Sequence, residues 1–434
     1  MKKTQRLLIL LLAALLMLAA CSKPAGNGNA GQEDAGNAGQ EDVTENEAGP
    51  TAPVDAKDAA ELIGMLSSRV TADNASEYDF TDQAMVYLEY LGTHLRNRSY
   101  GEAAIESNRP DEENAHETAQ EWIVSELKQA GYTDDQIQLE PFSVNWGPAD
   151  VLEGRNIILT VEGEDPSRQI IVGAHYDGDG VGDNGSGTAL LLATAVGLHG
   201  TQPHFTVKYI FFDGEEFGMI GSGYNARNMT REEIDSTIYM INMDSLAFGD
   251  YCNIYGGTTG EFMEPLEPED MTPPQATEAY DFAAATAEDL GFRVLRTADL
   301  DGYYAEHGTG PEITARTLYT NPWTPDNPAP ANNYAMSPAT IPASDHVYYM
   351  DNGIEYIYFE ATNWFAESAD GDIYGTSYTG YIETYNSSLG EHGMFMNTEY
   401  DTWENLNAYF PGRAEEHFHI FSPLLSALLL ASPQ

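Results

Sequence analysis

The sequence predicts an α/β fold: a three-layer α/β/α sandwich around a mostly parallel, mixed central sheet. Three observations carry this expectation. Short apolar runs of strand length recur at 156–159, 169–174, Phe205–Phe212, 238–243 and 354–359, in the style of strands buried on both faces. An Ala/Leu-rich stretch over 187–197, with Leu190, Leu191 and Leu192 at its centre, reads as a helix between two of these runs. Strands alternating with helices imply crossover connections, which lay strands parallel and cover both faces of the sheet.

The chain opens with basic Lys2, Lys3 and Arg6, an apolar run over 7–18, and small Ala19 and Ala20 before Cys21. That order is a secretory signal over residues 1–20, and its apolar run is shorter than the about 20 residues a membrane span needs. Leu18-Ala19-Ala20-Cys21 resembles the bacterial lipobox, whose cysteine is lipidated after cleavage. The membrane contact expected from it is a lipid on Cys21, on the extracytoplasmic face of a bacterial cell membrane. Residues 21–55 repeat AGQED and carry almost no large apolar side chains, so they read as a disordered acidic tether.

Residues 56–434 remain for the folded domain. Up to Gly131 the pattern is largely helical: Val86, Leu88, Leu91 and Leu95 share one face, as do Ala119, Trp122, Ile123 and Leu127. Gly131, just past Lys128, is a helix stop. Over about 257–343 the pattern weakens. A helix is expected over 276–290, ending at Gly291, followed by a Pro-rich insertion beside the pocket marked by Pro311, Pro322, Pro325, Pro328 and Pro330. The apolar run 424–431 is too short to span a membrane and reads as a last helix packed on the sheet.

Charge and cysteine count narrow the chemistry. The chain has 19 basic and 69 acidic residues, a formal charge of −50. This argues against nucleic acid or anionic lipid as a partner, because both require clustered Lys and Arg. After Cys21 the remaining cysteine is Cys252, so the mature chain has neither an internal disulfide nor a thiolate metal cluster. Any metal must be held by His and carboxylates.

Such residues sit at successive strand ends. The run over 170–174 delivers His175 and Asp177, Phe205–Phe212 leads to Asp213, Glu215 and Glu216, and 238–243 delivers Asp244. Parallel strands bring their carboxyl ends to one edge, where ligands bind. Asp183, just before the 187–197 helix, lies over the same edge. Singly, each is an ordinary loop, turn or cap residue; in conjunction they read as a metal site.

HYD at 175–177, GDNGSG at 182–187, DGEEFGMIGS at 213–222, NMDS at 242–245 and SDH at 344–346 resemble the co-catalytic zinc exopeptidases. That family includes bacterial leucyl-type aminopeptidases, with glutaminyl cyclases as relatives, and the resemblance covers roughly residues 156–406. It implies a zinc-exopeptidase type sandwich and a metallo-aminopeptidase that removes N-terminal residues from peptide substrates outside the cytoplasm. Two divalent metal ions are implied, zinc foremost, with manganese or cobalt as alternatives. By the same resemblance His175 and Asp244 bind one ion, Glu216 the other, and Asp183 bridges them. Asp177 orients a ligand, and Glu215 is the catalytic general base.

One position departs from the family pattern. Where the family has a ligand His in His-Thr-x-x-Asp-Thr, this chain reads Asn397-Thr398-Glu399-Tyr400-Asp401-Thr402. An amide oxygen is a poorer zinc ligand than imidazole, so Asn397, His392 or His346 is left to complete the second site. His346 also matches a position at the family's pocket wall. The half damaged by Asn397 is the half glutaminyl cyclases use, which disfavours cyclase activity. The rival reading is a surface lipoprotein that binds peptides or metal through a decayed site.

Overall fold

A computed structural model describes residues 56–99, 114–145, 151–249, 252–256, 277–296, 317–320, 344–361 and 398–434. The leader, the tether, Asn397, His392 and most of the Pro-rich insertion lie outside the described residues. The described chain belongs to one compact unit, Asp55–Gln434.

A nine-stranded mixed sheet forms its centre. The strands are β2 (Ile137–Asn145), β3 (Val151–Val161), β4 (Asp165–His175), β5 (Phe205–Phe212), β6 (Thr237–Asp244), β7 (Cys252–Gly256), β8 (Arg293–Arg296), β9 (Thr317–Thr320) and β10 (Tyr356–Glu360), in the order β2-β3-β5-β4-β6-β10-β7-β9-β8. The heart of the sheet, β5-β4-β6-β10, is parallel. Antiparallel pairs join β2 to β3, β3 to β5 and β7 to β10. The fold class expected from the sequence is therefore the one observed, an α/β sandwich on a mixed sheet with a parallel centre.

Strand alternation makes the two outer layers. Along β4, Ile170 and Val172 pack with Leu190 and Leu191 of helix α4 (Gly185–Gly197) and with Leu424 and Leu425 of α10 (Arg413–Leu429). Ile171 faces the other way, joining Ile210, Phe212, Met240 and, from α8 (Val347–Asp351), Val347 and Tyr349. A two-residue period with both faces apolar requires a cover on each side. Helix α4 is buried over nearly its whole length, Gly185 to Ala195, which is why its sequence is apolar all round and not striped. Its N-terminus is capped by the Asn184 side chain, which accepts from Gly187 N at 2.9 Å.

The helical N-terminal part breaks into α1 (Ala56–Ile63), α2 (Thr81–His94) and α3 (His116–Ala130). Gly131 ends α3 at φ 117° as a left-handed stop. A small two-stranded sheet that the apolar pattern does not announce pairs β1 (Leu66–Ser68) with β11 (Ala431–Pro433). Strand β2 is equally silent in the sequence, because an edge strand tolerates Pro141 and leaves Leu139 44 % exposed. The last helix begins at Arg413, well before the expected 424, because His417 and Phe418 also pack inward. No helix among the described residues is long and apolar enough to cross a membrane.

Phe212 closes the smaller core directly beneath the candidate site. It is fully buried, with the Tyr349 ring 6.1 Å away. A Cβ on Gly173 would run into its ring. Phe212→Ala is expected to lower the unfolding free energy by about 3–5 kcal/mol. Urea denaturation of wild type and variant measures it; a change under about 1 kcal/mol would mean that the core collapses around the gap.

Candidate metal centre

The parallel centre of the sheet places the candidate residues. His175 is the last residue of β4 and Asp244 the last of its neighbour β6. Glu215 and Glu216 begin the short turn after β5, on the other side of β4. Asp183 lies just before α4. All of them meet at the carboxyl edge of adjacent strands, where an open α/β sheet forms its crevice.

His175 is wholly buried among carboxylates. Its Nε2 lies 3.2 Å from Asp183 Oδ1, 3.5 Å from Asp244 Oδ2 and 3.9 Å from Glu215 Oε2, and its Nδ1 lies 3.5 Å from Asp177 Oδ1. Neither ring nitrogen has a hydrogen-bond partner of acceptable geometry. A single imidazole proton cannot serve three acceptors that converge on one nitrogen. His175, Asp183 and Asp244 each offer a ligand atom, all within 4.8 Å of one another. Nitrogen and carboxylate donors so placed, with an orphaned ring nitrogen, fit a divalent cation of the zinc type.

The electrostatics agree. Burial opposes a charge on His175, but Asp244 and Glu215 outweigh it and raise its pKa well above the ordinary histidine value. Burial and the Asp244 charge push Asp183 up to about 6, against the pull of His175. Burial raises Glu215 well above the ordinary carboxylate range, with Asp345, Asp244 and Glu216 adding to it and His175 opposing. Glu216 is raised likewise by burial and by Asp183. Asp244 goes the other way: burial is outweighed by His175 and by the Ser344 and Ser245 hydroxyls, which donate to it at 2.8 and 3.2 Å. Buried like charges crowded this closely repel one another, and a divalent cation would relieve that repulsion.

The surrounding residues fix these groups. Asp177 is buried and accepts from Glu215 N at 3.1 Å and Glu216 N at 3.3 Å. It thus holds the glutamate turn and lies 3.5 Å from His175 Nδ1. Asn184 donates to Met243 O at 2.8 Å, joining the Asp183 and Asp244 loops. Asp213, which the sequence places beside Glu215, turns away from the cluster. Its carboxylate contacts His116 Nε2 at 2.7 Å and accepts from Arg155 N at 2.8 Å.

His346 is fully buried and stacks on Tyr356 and Tyr358 at 4.3 and 4.8 Å. Burial lowers its pKa to about 3. It is not among the residues whose ligand atoms lie within 4.8 Å of one another, His175, Asp183 and Asp244, though it feels the Asp244 charge. Sequence reasoning passed over Asp345, which is fully buried, without a hydrogen-bond partner of acceptable geometry, and pushed up to about 7 by burial. The only signal for it was its place in the SDH run at 344–346.

The chain resembles known proteins over part of its length. Residues 156–299 match the model of Peptidase family M28. A probable lipoprotein aminopeptidase, LpqL, of Mycobacterium tuberculosis is 36% identical over 101 residues, 22% of this chain and 20% of the relative. An aminopeptidase of Pseudomonas aeruginosa is 32% identical over 115 residues, 25% of this chain and 22% of the relative. The chain thus spans about a fifth of the length of these two curated relatives. A crystal structure of a Zn-dependent exopeptidase from Parabacteroides distasonis is 18% identical with a TM-score of 0.48, covering 81% of this chain and 97% of that one. His175, Asp177, Asp183, Glu215, Glu216 and Asp244 all lie in the segment that matches Peptidase family M28.

Proposed function

We propose that the protein is a metal-dependent aminopeptidase that removes N-terminal residues from peptides outside the cytoplasm, tethered to a bacterial membrane through a lipid on Cys21. One observation carries the reading: the buried His175 ring faces three carboxylates without a hydrogen bond of its own, inside an M28 segment. The aminopeptidase relatives support the direction of attack, and the lipoprotein relative supports the anchor.

In this reading His175, Asp183 and Asp244 would hold one zinc ion, and Glu216 with Asp183 would hold a second. Bound zinc supplies Lewis acidity, polarising the scissile carbonyl and acidifying the attacking water. Asp177 keeps His175 and the glutamate turn in register. Glu215 takes a proton from the attacking water and delivers it to the departing nitrogen as the C–N bond breaks. The acidic chain, at −50, favours a substrate that presents an ammonium over one that presents a carboxylate. With Asn397 in the place of the family's imidazole, a second ion would be held more weakly than the first.

A second reading, a binding lipoprotein without catalysis, draws on Asn397 alone and leaves Glu215 without a task. A panel of aminoacyl-p-nitroanilides and their N-acetylated counterparts separates the two, run on chelator-stripped protein with zinc, manganese or cobalt restored. The proposal expects metal-dependent release from free-amine substrates and none from acetylated ones. Saturable zinc binding with no turnover across the panel would favour the binding protein.

A further inference from the structure

We propose that Arg98 and Asp401 are positioning residues that clamp the loop between His175 and Asp183 from opposite sides and so set the separation of those two side chains. The inference rests on His175 and Asp183 being metal ligands. The loop itself contains Gly178, Gly180 and Gly182. Three glycines in so short a stretch leave the backbone many conformations, so its geometry must be imposed from outside.

The two clamps divide the loop's backbone by polarity. Arg98 takes carbonyls: its Nε donates to Tyr176 O at 2.9 Å and its Nη2 to Gly180 O at 2.8 Å, while its own backbone N–H donates to Gly178 O at 2.9 Å. A further bond from Nη1 to Leu95 O at 2.8 Å ties the guanidinium to the chain just past α2. Asp401 takes amides: Val181 N and Gly182 N donate to its Oδ1 at 2.8 and 2.6 Å, and Asp183 N donates to its Oδ2 at 3.0 Å. A carbonyl at every second residue through 180, then three consecutive amides, are all satisfied by two residues, Arg98 through its guanidinium and backbone N–H and Asp401 through its carboxylate.

Both side chains are out of water, Arg98 0 % and Asp401 1 % exposed. Burying a charge is costly unless its hydrogen-bonding capacity is used, and here two of the Arg98 side-chain bonds and three bonds to Asp401 go to one loop. The fit is tight on the Asp401 side, where a Cβ on Gly180 would meet the Asp183 carbonyl and the Asp401 carboxylate. Neither residue is a candidate ligand. Each acts through the loop, Arg98 on the stretch that leaves His175 and Asp401 on the stretch that delivers Asp183.

The test uses full-chain Arg98→Met, Asp401→Asn and, as a control, Leu424→Ala, a fully buried core residue of α10. Asn at 401 keeps the size but turns an NH2 group toward at least one of three N–H donors. Two readouts are taken: hydrogen exchange of the 181–183 amides, and zinc affinity by competition with a chromophoric chelator. Both clamp variants are expected to speed exchange at 181–183 and to weaken zinc by about 10- to 100-fold, as loss of an outer support does. Leu424→Ala should lower the melting temperature and leave both readouts at wild type. Arg98→Lys, which keeps the charge but loses the fork, should fall between, and it serves if Arg98→Met does not fold. Wild-type exchange and zinc affinity in the clamp variants, or an equal loss in Leu424→Ala, would overturn the proposal. Should wild type bind no zinc, the ligand reading fails, while the exchange arm still decides the clamp.

Discussion

Glu215→Gln is expected to lower kcat by about 10²- to 10⁴-fold, the usual contribution of a positioned general base, with KM and zinc affinity close to wild type. The glutamine keeps the size of the side chain and its place on the turn that Asp177 holds through two amides. What it loses is the ability to accept a proton. The wild-type carboxylate is 14 % exposed in its side chain, open enough to meet a water, and lies 3.9 Å from His175 Nε2. Burial raises its proton affinity well above that of an ordinary glutamate, and His175 opposes the shift. Steady-state kinetics with a free-amine p-nitroanilide, beside a zinc titration, check this. An unchanged kcat would remove Glu215 from the chemistry, and a parallel loss of zinc would make it a ligand.

Asp183→Asn should have its largest effect on the metal. Asp183 sits 3.2 Å from His175 Nε2, within the group that includes Asp244, and in the proposed site it serves both ions. Its replacement should weaken zinc by more than the roughly 100-fold that loss of an outer-shell partner costs. The same change should help the stripped protein. In wild type without metal, burial and Asp244 push the Asp183 carboxyl up to about 6, above the ordinary value near 3.9 of an unfolded chain. Above pH 6 the folded state therefore carries a charge it disfavours, and the neutral amide relieves it. Thermal melts at pH 7.5 with and without zinc should show a stripped variant at least as stable as stripped wild type, with its zinc-induced rise in Tm gone. A variant that keeps the full zinc shift would contradict the bridging role.

The site was largely legible because its residues sit at strand ends, and strand ends can be read from apolar runs. His175, Glu215, Glu216 and Asp244 each follow such a run, and parallel pairing brings those strand ends together; Asp183 precedes the apolar helix α4 at the same edge. What stayed hidden was held by distant partners. Arg98 bonds across 78 and 82 residues to the loop after His175, and Asp401 reaches back 218 to 220 residues to Val181, Gly182 and Asp183. No local pattern marks either contact. Asp213 shows the converse: its DGEE context looks like part of the site, yet His116 and the Arg155 amide claim its carboxylate. Strand β2 escaped notice because edge strands need not be continuously apolar.

The proposed role of this carboxylate-ringed histidine is to hold metal for peptide-bond hydrolysis. Its most direct test is a zinc titration of chelator-stripped protein, following bound zinc and p-nitroanilide release in the same samples. Release that is absent at the start and rises with the first equivalent of bound zinc is the predicted result. Turnover that persists in the stripped protein, or zinc bound to saturation without release of any aminoacyl group, would contradict it.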